Sequence, residues 1–533
     1  MSGITKDEAM RIVTEKYLDG IDCQNPPSPQ KLQSELLACV QNEFKVQNTT
    51  KDKGDKWRMP DKLSTSQLTE VLLKLYHIRN IACAGENADT SYDLLALYQT
   101  DGYNKGIYVT DEKILQDIMS LYSYNISKKE MEEVLYKLKI KAPRVKRCEE
   151  RDLIAVNNGI FDYSTKKLTP FTPDKVFISK SHVDYVDNPK NPSILDTSDG
   201  TIWDVESWME SLSDDKDITN LLWEILGAII RPHVRWNKSA WFYSTVGNNG
   251  KGTLCELMRN ICGEGAYASI PISDFSKDFM LEPLTRATAI IVDENNVGSF
   301  IDKAANLKAV ITNDVIALNR KFKAPIAYQF FGFMVQCLNE MPRIKDKSDS
   351  FYRRQIFVPF EKSFTGREKK YIKNDYLHRP EVLEYVLWKV LNMNYYTLSE
   401  PAACKQALEA YKEYNDPVRQ FVSEILPECK WSLLPFDFLY DLYKAWFKNY
   451  APSGTLQGRN TFVNDIVSVL ANMPGYVVDR TKQHTTGHRM DAAEPLIIKY
   501  QLKDWYNPHY HGNDPDKIAL APLKRCYRGI VVQ

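Results

Sequence analysis

Between Ala240 and Arg354 the chain gathers residues suited to handling a phosphorylated ligand. The apolar run Ala240-Trp-Phe-Tyr-Ser244 leads into TVGNNGKGT, Thr245 to Thr253, and the helix-like stretch LCELMRNIC follows. Strand, Gly-rich turn and helix N-terminus in that order aim backbone N–H groups and the positive end of a helix dipole at an anion. A lysine beside them neutralises the outer phosphates. Lys251 is that lysine, and Gly247, Asn248, Asn249, Gly250, Gly252 and Thr253 complete an ATP-binding turn. Gly247 and Gly250 supply conformations that a side chain would block. The pattern departs from G-x-x-x-x-G-K-[ST]: Thr245 stands at the first glycine position and Gly252 follows the lysine. The hydroxyl that would meet magnesium comes one residue late, at Thr253, where it serves either the metal or another phosphate.

Two further apolar runs end in polar residues. Ala287-Thr-Ala-Ile-Ile-Val292 has the pattern of a buried parallel strand and stops at Asp293-Glu294. There Asp293 can hold Mg²⁺, directly or through water, and Glu294 can orient and deprotonate an attacking water. The plainer reading is a solvated strand end. Phe330 to Leu338 ends in Asn339, an amide placed to sense a γ-phosphate or simply to make a turn. Asp349-Ser-Phe-Tyr-Arg-Arg354 then leads into QIFVPF. Arg353 or Arg354 could reach the nucleotide of a neighbouring subunit and stabilise transition-state charge there. The alternative is a surface ion pair with Asp349 or Glu361.

The compact order of these motifs resembles the superfamily-three helicases of viruses, phages and plasmids, a branch of the AAA+ ATPases. The phrases NNGKGTL, LKAVITNDVIALNRKFKAP and CLNEMPRI are similar to the poxvirus-type primase-helicase branch, as is Val156-Asn-Asn-Gly-Ile-Phe-Asp162 upstream. The layout from about Leu94 to Gln533 resembles Rep helicases of staphylococcal pathogenicity islands and related cassettes. The resemblance implies an α/β AAA+ fold, ATP and Mg²⁺ as cofactors, and a ring of six subunits. It also implies 3′ to 5′ movement on single-stranded DNA at a fork and a role in replicating a mobile element. Ile316 to Tyr328 reads as two short strands around a basic, aromatic tip. In the family such a hairpin tracks single-stranded DNA in the central channel, which carries Arg320, Lys321, Phe322 and Lys323 over as DNA contacts. Without the family, an ordinary turn with a buried Phe is the simpler reading.

Length and composition bound what these elements are set in. A chain of 533 residues can hold several cores. Its 69 basic and 69 acidic residues cancel, so any nucleic-acid site must be a local patch or a channel. Ten scattered cysteines without a C-x-x-C pair argue against a zinc ribbon or disulfide scaffold and fit a reducing cytoplasm. No stretch approaches a membrane span, and no secretion signal is visible at the start.

Four segments follow. Residues 1–64 read as helices, with Thr5 and Glu8 as a capping box, and a polar linker from 46 to 64. Residues 65–200 read as a mixed α+β domain, with a hairpin in LLALYQTDGYNKGIYVT and helices in DEKILQDIMSLY and SKKEMEEVLYKLKI. They lack the strand-borne D-x-D of a fused primase. Residues 201–415 are the ATPase. Residues 416–533 read as a winged-helix-like domain: three helices, β-like runs at Tyr476-Val-Val and Leu496 to Tyr500, and a further strand in LKRCYRGIVVQ. Its aromatic stripe, Phe436, Phe438, Tyr440, Tyr443 and Trp446, is core by periodicity. Arg459, Lys482, His488 and Arg489 are candidates for its DNA side, and origin duplex is its expected partner. An initiator whose ATPase drives assembly and melting, without processive unwinding, is the alternative activity.

Overall fold

The computed structural model of the chain describes residues 4–84, 89–196, 199–296, 300–301, 303–321, 323–450, 456–471, 473–520 and 524–533. Phe322 and the side chain of Lys323 lie outside the described residues. The chain divides into two compact units, Met1–Pro342 with Arg353–Cys404, and Arg343–Tyr352 with Lys405–Gln533.

The first unit opens with α1 (Lys6–Asp19), α2 (Pro29–Asn48) and α3 (Thr65–Leu75). Ser28 caps α2 and Pro29 occupies its first turn. Leu32, Leu36, Val40 and Phe44, four residues apart, form its buried stripe. Thr5 accepts from the Glu8 amide, but the full reciprocal capping boxes stand at Ser64/Gln67 and Ser127/Glu130. The expected linker is pinned. The Asn48 amide accepts from Trp57 N at 2.7 Å and donates to Trp57 O at 2.9 Å, and the Trp57 ring meets Phe44 edge-on at 5.1 Å. A polar segment so tied to a core aromatic is part of the fold.

Beyond it lie β1 (Ile78–Ala82), β2 (Leu94–Tyr98), β3 (Tyr108–Val109), α4 (Glu112–Tyr122), α5 (Lys128–Lys141) and β4 (Arg144–Lys146). Their sheet runs β3-β2-β1-β4, with the expected hairpin pairing Leu97 to Val109. A meander of β5 (Leu153–Val156), β6 (Gly159–Asp162) and β7 (Lys167–Thr169) follows. A Cβ on Gly159 would lie 2.5 Å from Thr169 O, so the β6–β7 approach requires glycine.

Then come α6 (Val205–Ser211), α7 (Lys216–Ile230), β8 (Ser239–Tyr243), α8 (Lys251–Cys262), β9 (Tyr267–Ala268), β10 (Ala289–Val292) and α9 (Ala305–Ile311). The hairpin strands β11 (Val315–Arg320) and β12 (Lys323–Gln329) lead to β13 (Phe333–Leu338), β14 (Gln355–Pro359) and α10 (Pro380–Asn392). Strands β9-β10-β13-β8-β14, in that order, make one sheet paired in parallel throughout. Every residue of β10 and β13 is buried, which is why both read as mainly apolar runs without alternation, broken only by Gln336, whose amide is hydrogen-bonded inside. Side chains of α7, α8 and α10 share one core with this sheet.

The second unit contains α11 (Pro417–Ile425), β15 (Leu433–Pro435), α12 (Phe436–Tyr450), α13 (Arg459–Leu470), β16 (Tyr476–Thr485), α14 (Pro495–Lys499) and β17 (Cys526–Val532). Its antiparallel sheet runs β15-β17-β16, so the last segment of the chain is the central strand. Phe436, Phe438, Tyr443 and Trp446 are buried in its core, as periodicity expected, and Tyr443 stacks on Phe462 at 4.6 Å. Arg459 forms an ion pair with Asp437 at 2.6 Å. The run Leu496 to Tyr500 corrects the sequence reading: it is helix α14, not a strand. Glu494 caps it and Pro495 sits in its first turn, and these start signals outweigh two isoleucines in so short a run.

Glu494 also holds the unit together. Its side chain is fully buried and accepts from the amides of Lys430 at 2.7 Å, Trp431 at 3.0 Å and Leu496 at 3.4 Å. Glu494→Ala strands those donors in the interior, at a cost of about 2–5 kcal/mol. Urea unfolding followed by tryptophan fluorescence should show the loss. A midpoint unchanged from the native chain would mean that water satisfies the amides.

Candidate functional site

The C-terminal edge of the parallel sheet collects the motifs. There β8 runs into the Gly-rich turn, β10 into Asp293-Glu294 and β13 into Asn339. Parallel pairing aligns all three ends: Tyr243 lies opposite Leu338, and Val292 opposite Gln336. An open parallel sheet places ligands at this edge.

Gly250 caps α8 with φ +87, and Asn248 has φ 53. Both lie in the left-handed region that shapes the turn. The chain beyond β14 braces it from outside. Phe364 N donates to Asn248 O at 2.7 Å, and Asn248 Nδ2 donates to Glu368 Oε1 at 2.7 Å. Asn249 Nδ2 donates to Val246 O, and Asn249 Oδ1 accepts from Lys251 N at 3.3 Å.

Lys251 sits in the first turn of α8, only 5% exposed, and its Nζ is buried with no hydrogen-bond partner. Burial pushes its pKa below the ordinary lysine value. A buried ammonium without a partner is costly unless an anion completes it. With the helix terminus beside it, this side chain suits the phosphates of a nucleotide. Asp293 lies close by. A Cβ on Gly252 would stand 2.9 Å from Asp293 Oδ1, so the glycine that broke the usual pattern makes room for that carboxylate. The donor set fits magnesium in chemistry: a hard carboxylate oxygen beside the Gly-rich turn. Glu294 is exposed next to it, Asn339 is exposed at the β13 end, and Thr253 is half-buried on α8.

Several residues were not singled out in the sequence. Arg259 Nη2 and Lys373 Nζ approach Asp293 Oδ2 at 3.6 and 3.9 Å. Asn295 fastens the end of β10 to β13, donating to Gln336 Oε1 and Cys337 O at 3.0 Å each, and accepts from Ile272 N at 2.9 Å. Cys255 and Cys337 bring their sulfurs to 3.3 Å beneath the turn. Of these only Cys255 carried a local signal, one helical turn beyond Lys251 and on the same face. The rest depend on strand order.

The structure sets other candidates apart. Arg353 and Arg354 precede β14, so they occupy the opposite, N-terminal edge of the sheet. Arg353 is exposed, while Arg354 is half-buried and its carbonyl accepts from Ser239 N at 2.8 Å. The segment around Arg320 and Lys321 is a hairpin, as expected, with β11 and β12 antiparallel and a register shift near the tip. Ile316, Leu318, Ile326 and Tyr328 bury one face, and Lys321 is exposed at the turn. Arg147 fixes the base, donating to Tyr328 Oη at 3.0 Å and Gln329 O at 2.9 Å. Among the described residues no helix is long and apolar enough to cross a membrane.

Three stretches match family models. Residues 45–214 match a family described as D5 N terminal like, and residues 413–500 match Poxvirus D5 protein-like. Residues 242–354, the segment bearing the motifs, match a family of unknown function (DUF5906). Curated relatives include "Putative helicase L207/L206" of Acanthamoeba polyphaga mimivirus, 25% identical over 228 residues, 40% of this chain and 22% of that protein. Another is "Putative helicase 022R" of Frog virus 3 (isolate Goorha), 24% identical over 281 residues, 46% of this chain and 29% of that protein. The matched part thus spans less than a third of either relative. Among solved structures, the apo C-terminal region of NrS-1 (residues 305–718) aligns with 88% of this chain and all of its own at 16% identity, with a TM-score of 0.44. The family matches and the two viral relatives together support a relationship to the D5-type helicases.

Proposed function

We propose that this chain is an ATP-dependent replicative DNA helicase that assembles as a ring on single-stranded DNA. The observation that carries the reading is the buried Lys251 ammonium, without a hydrogen-bond partner, on the sheet edge that also presents Asp293, Glu294 and Asn339. In this reading Lys251 and the turn amides hold the β- and γ-phosphates of ATP. Asp293, with Thr253 as a second candidate, holds Mg²⁺, which supplies neutralisation of the phosphate charge. Glu294 takes the proton of the attacking water, and Asn339 positions that water. Arg353 or Arg354 serves the site of a neighbouring subunit. The C-terminal unit, helices on a small antiparallel sheet, takes the part of a winged-helix-like reader of origin duplex. Hydrolysis of ATP by the purified full chain, with and without single-stranded DNA, tests the core of the reading. Stimulation by the strand supports a translocating motor. Turnover indifferent to it favours the assembly-driving initiator, and no turnover in either condition ends the proposal.

The hairpin offers a separation of functions. Lys321→Ala leaves the nucleotide turn intact but removes a cation from an exposed tip. Unwinding should fall far more than basal turnover. The salt dependence of single-strand affinity should shrink by about 0.7 in log–log slope. Equal loss of both activities would assign Lys321 a folding role.

A further inference from the structure

One turn along α8 from Lys251, Cys255 is completely buried and faces Cys337 of β13, which is 1% exposed, with 3.3 Å between the sulfurs. The Asp293 carboxylate completes a triad whose ligand atoms all lie within 4.8 Å of one another. Among the described residues no other three His, Cys, Asp or Glu side chains meet in this way.

Distances decide between two uses of such a pair. A disulfide requires sulfurs about 2.05 Å apart, so a packed helix and a buried strand would have to close by more than an ångström. A tetrahedral ion with metal–sulfur bonds of about 2.3 Å holds its two sulfurs about 3.8 Å apart, which asks for a spread of only a few tenths. Two thiolates with one carboxylate select a thiophilic ion over magnesium or calcium. Three protein ligands leave one position open. The triad would carry one more negative charge than a divalent ion supplies, and Arg259 and Lys373 beside Asp293 are placed to offset it.

We propose that Cys255, Cys337 and Asp293 form a site for a thiophilic divalent cation of the zinc class beneath the phosphate-binding turn. Binding exchanges the two thiol protons for the ion. The protons pass to solvent, and no oxidation state changes. Because Asp293 would be shared, the ion and the magnesium–nucleotide complex should exclude one another. That consequence rests on the ATPase reading, whereas binding of the ion does not.

The test uses the full chain, with cysteines kept reduced and oxygen excluded, titrated with Co²⁺ alone. Thiolate-to-cobalt charge-transfer absorption should rise, level off and be displaced by Zn²⁺. The double substitution Cys255→Ala with Cys337→Ala should abolish it. No band in a chain whose thiols titrate as reduced, or a band that survives the double substitution, overturns the site. If that variant does not fold, zinc-edge X-ray absorption of the native chain decides: two sulfur neighbours with lighter atoms are expected, and four sulfurs or none refute it. Cobalt binding in a chain that never hydrolyses ATP would leave this site standing and remove the ATPase reading alone.

Discussion

Lys251→Ala should leave ATP turnover at background, a loss on the order of a thousandfold or more, while the fold remains intact. Two physical terms support the pairing of those outcomes. The ammonium would neutralise charge that builds on the β–γ bridge as the bond breaks, and a preorganised charge in a dry site is worth several kcal/mol of barrier. In the folded chain the same ammonium is buried, without a hydrogen-bond partner and with its pKa lowered by burial. Its removal therefore relieves desolvation, set against the small cavity left by the alkyl stem. The melting temperature should be unchanged or slightly raised, so lost turnover could not be blamed on unfolding. Phosphate release by the purified variant, beside its thermal melt, gives both readings. Turnover within tenfold of the native chain would remove Lys251 from the site.

What could be read before folding, and what could not, divides along local and non-local information. The turn, the Asp293-Glu294 strand end and the Asn339 strand end each announce themselves by an apolar run that stops at a polar residue. Their convergence follows once the strands pair in parallel, because parallel strands end on one edge. The order β9-β10-β13-β8-β14 left no local trace, since its interior strands share one pattern without alternation: every residue but Tyr243 is buried, the polar Ser239 and Gln336 included. Whatever depends on that order was hidden with it: the Cys255–Cys337 contact, the Asn295 fastening and the cations around Asp293. Gly252 shows the same limit from the other side. In sequence it is a defect in a motif, and only the position of Asp293 Oδ1 gives it a steric reason. The polar stretch after α2 has no regular structure, in keeping with a linker, but composition says nothing of Trp57 finding Phe44 and Asn48. At Leu496 to Tyr500, side-chain propensity pointed to a strand while the Glu494-Pro495 start signal pointed to a helix, and the start signal prevailed.

Arg353 carries the second large expectation. It stands just before β14, whereas the Gly-rich turn follows the end of the neighbouring, parallel β8. Each strand is five residues long, so the length of the sheet, about 16 Å, separates the arginine from the Gly-rich turn of its own chain. An extended arginine side chain falls well short of that gap, so any catalytic role must be played across a subunit boundary. Arg354 is the weaker candidate, because its backbone is tied to Ser239 and its side chain is half-buried, while Arg353 is exposed. Arg353→Ala should lower turnover by roughly a thousandfold through loss of transition-state charge stabilisation, with nucleotide affinity little changed. Mixing then discriminates. An Arg353→Ala chain keeps its own turn and lacks the arginine it lends, and a Lys251→Ala chain has the reverse defect. If the chain assembles as the proposed ring, some interfaces of a mixed assembly would join an intact turn to an intact arginine, so the mixture should regain part of the native rate although each parent is inactive. Co-assembly would be confirmed first by pulling down one tagged variant with the other. A co-assembled mixture as inactive as its parents would show that Arg353 does not serve a shared site, and the exposed arginine would then belong to the surface alone.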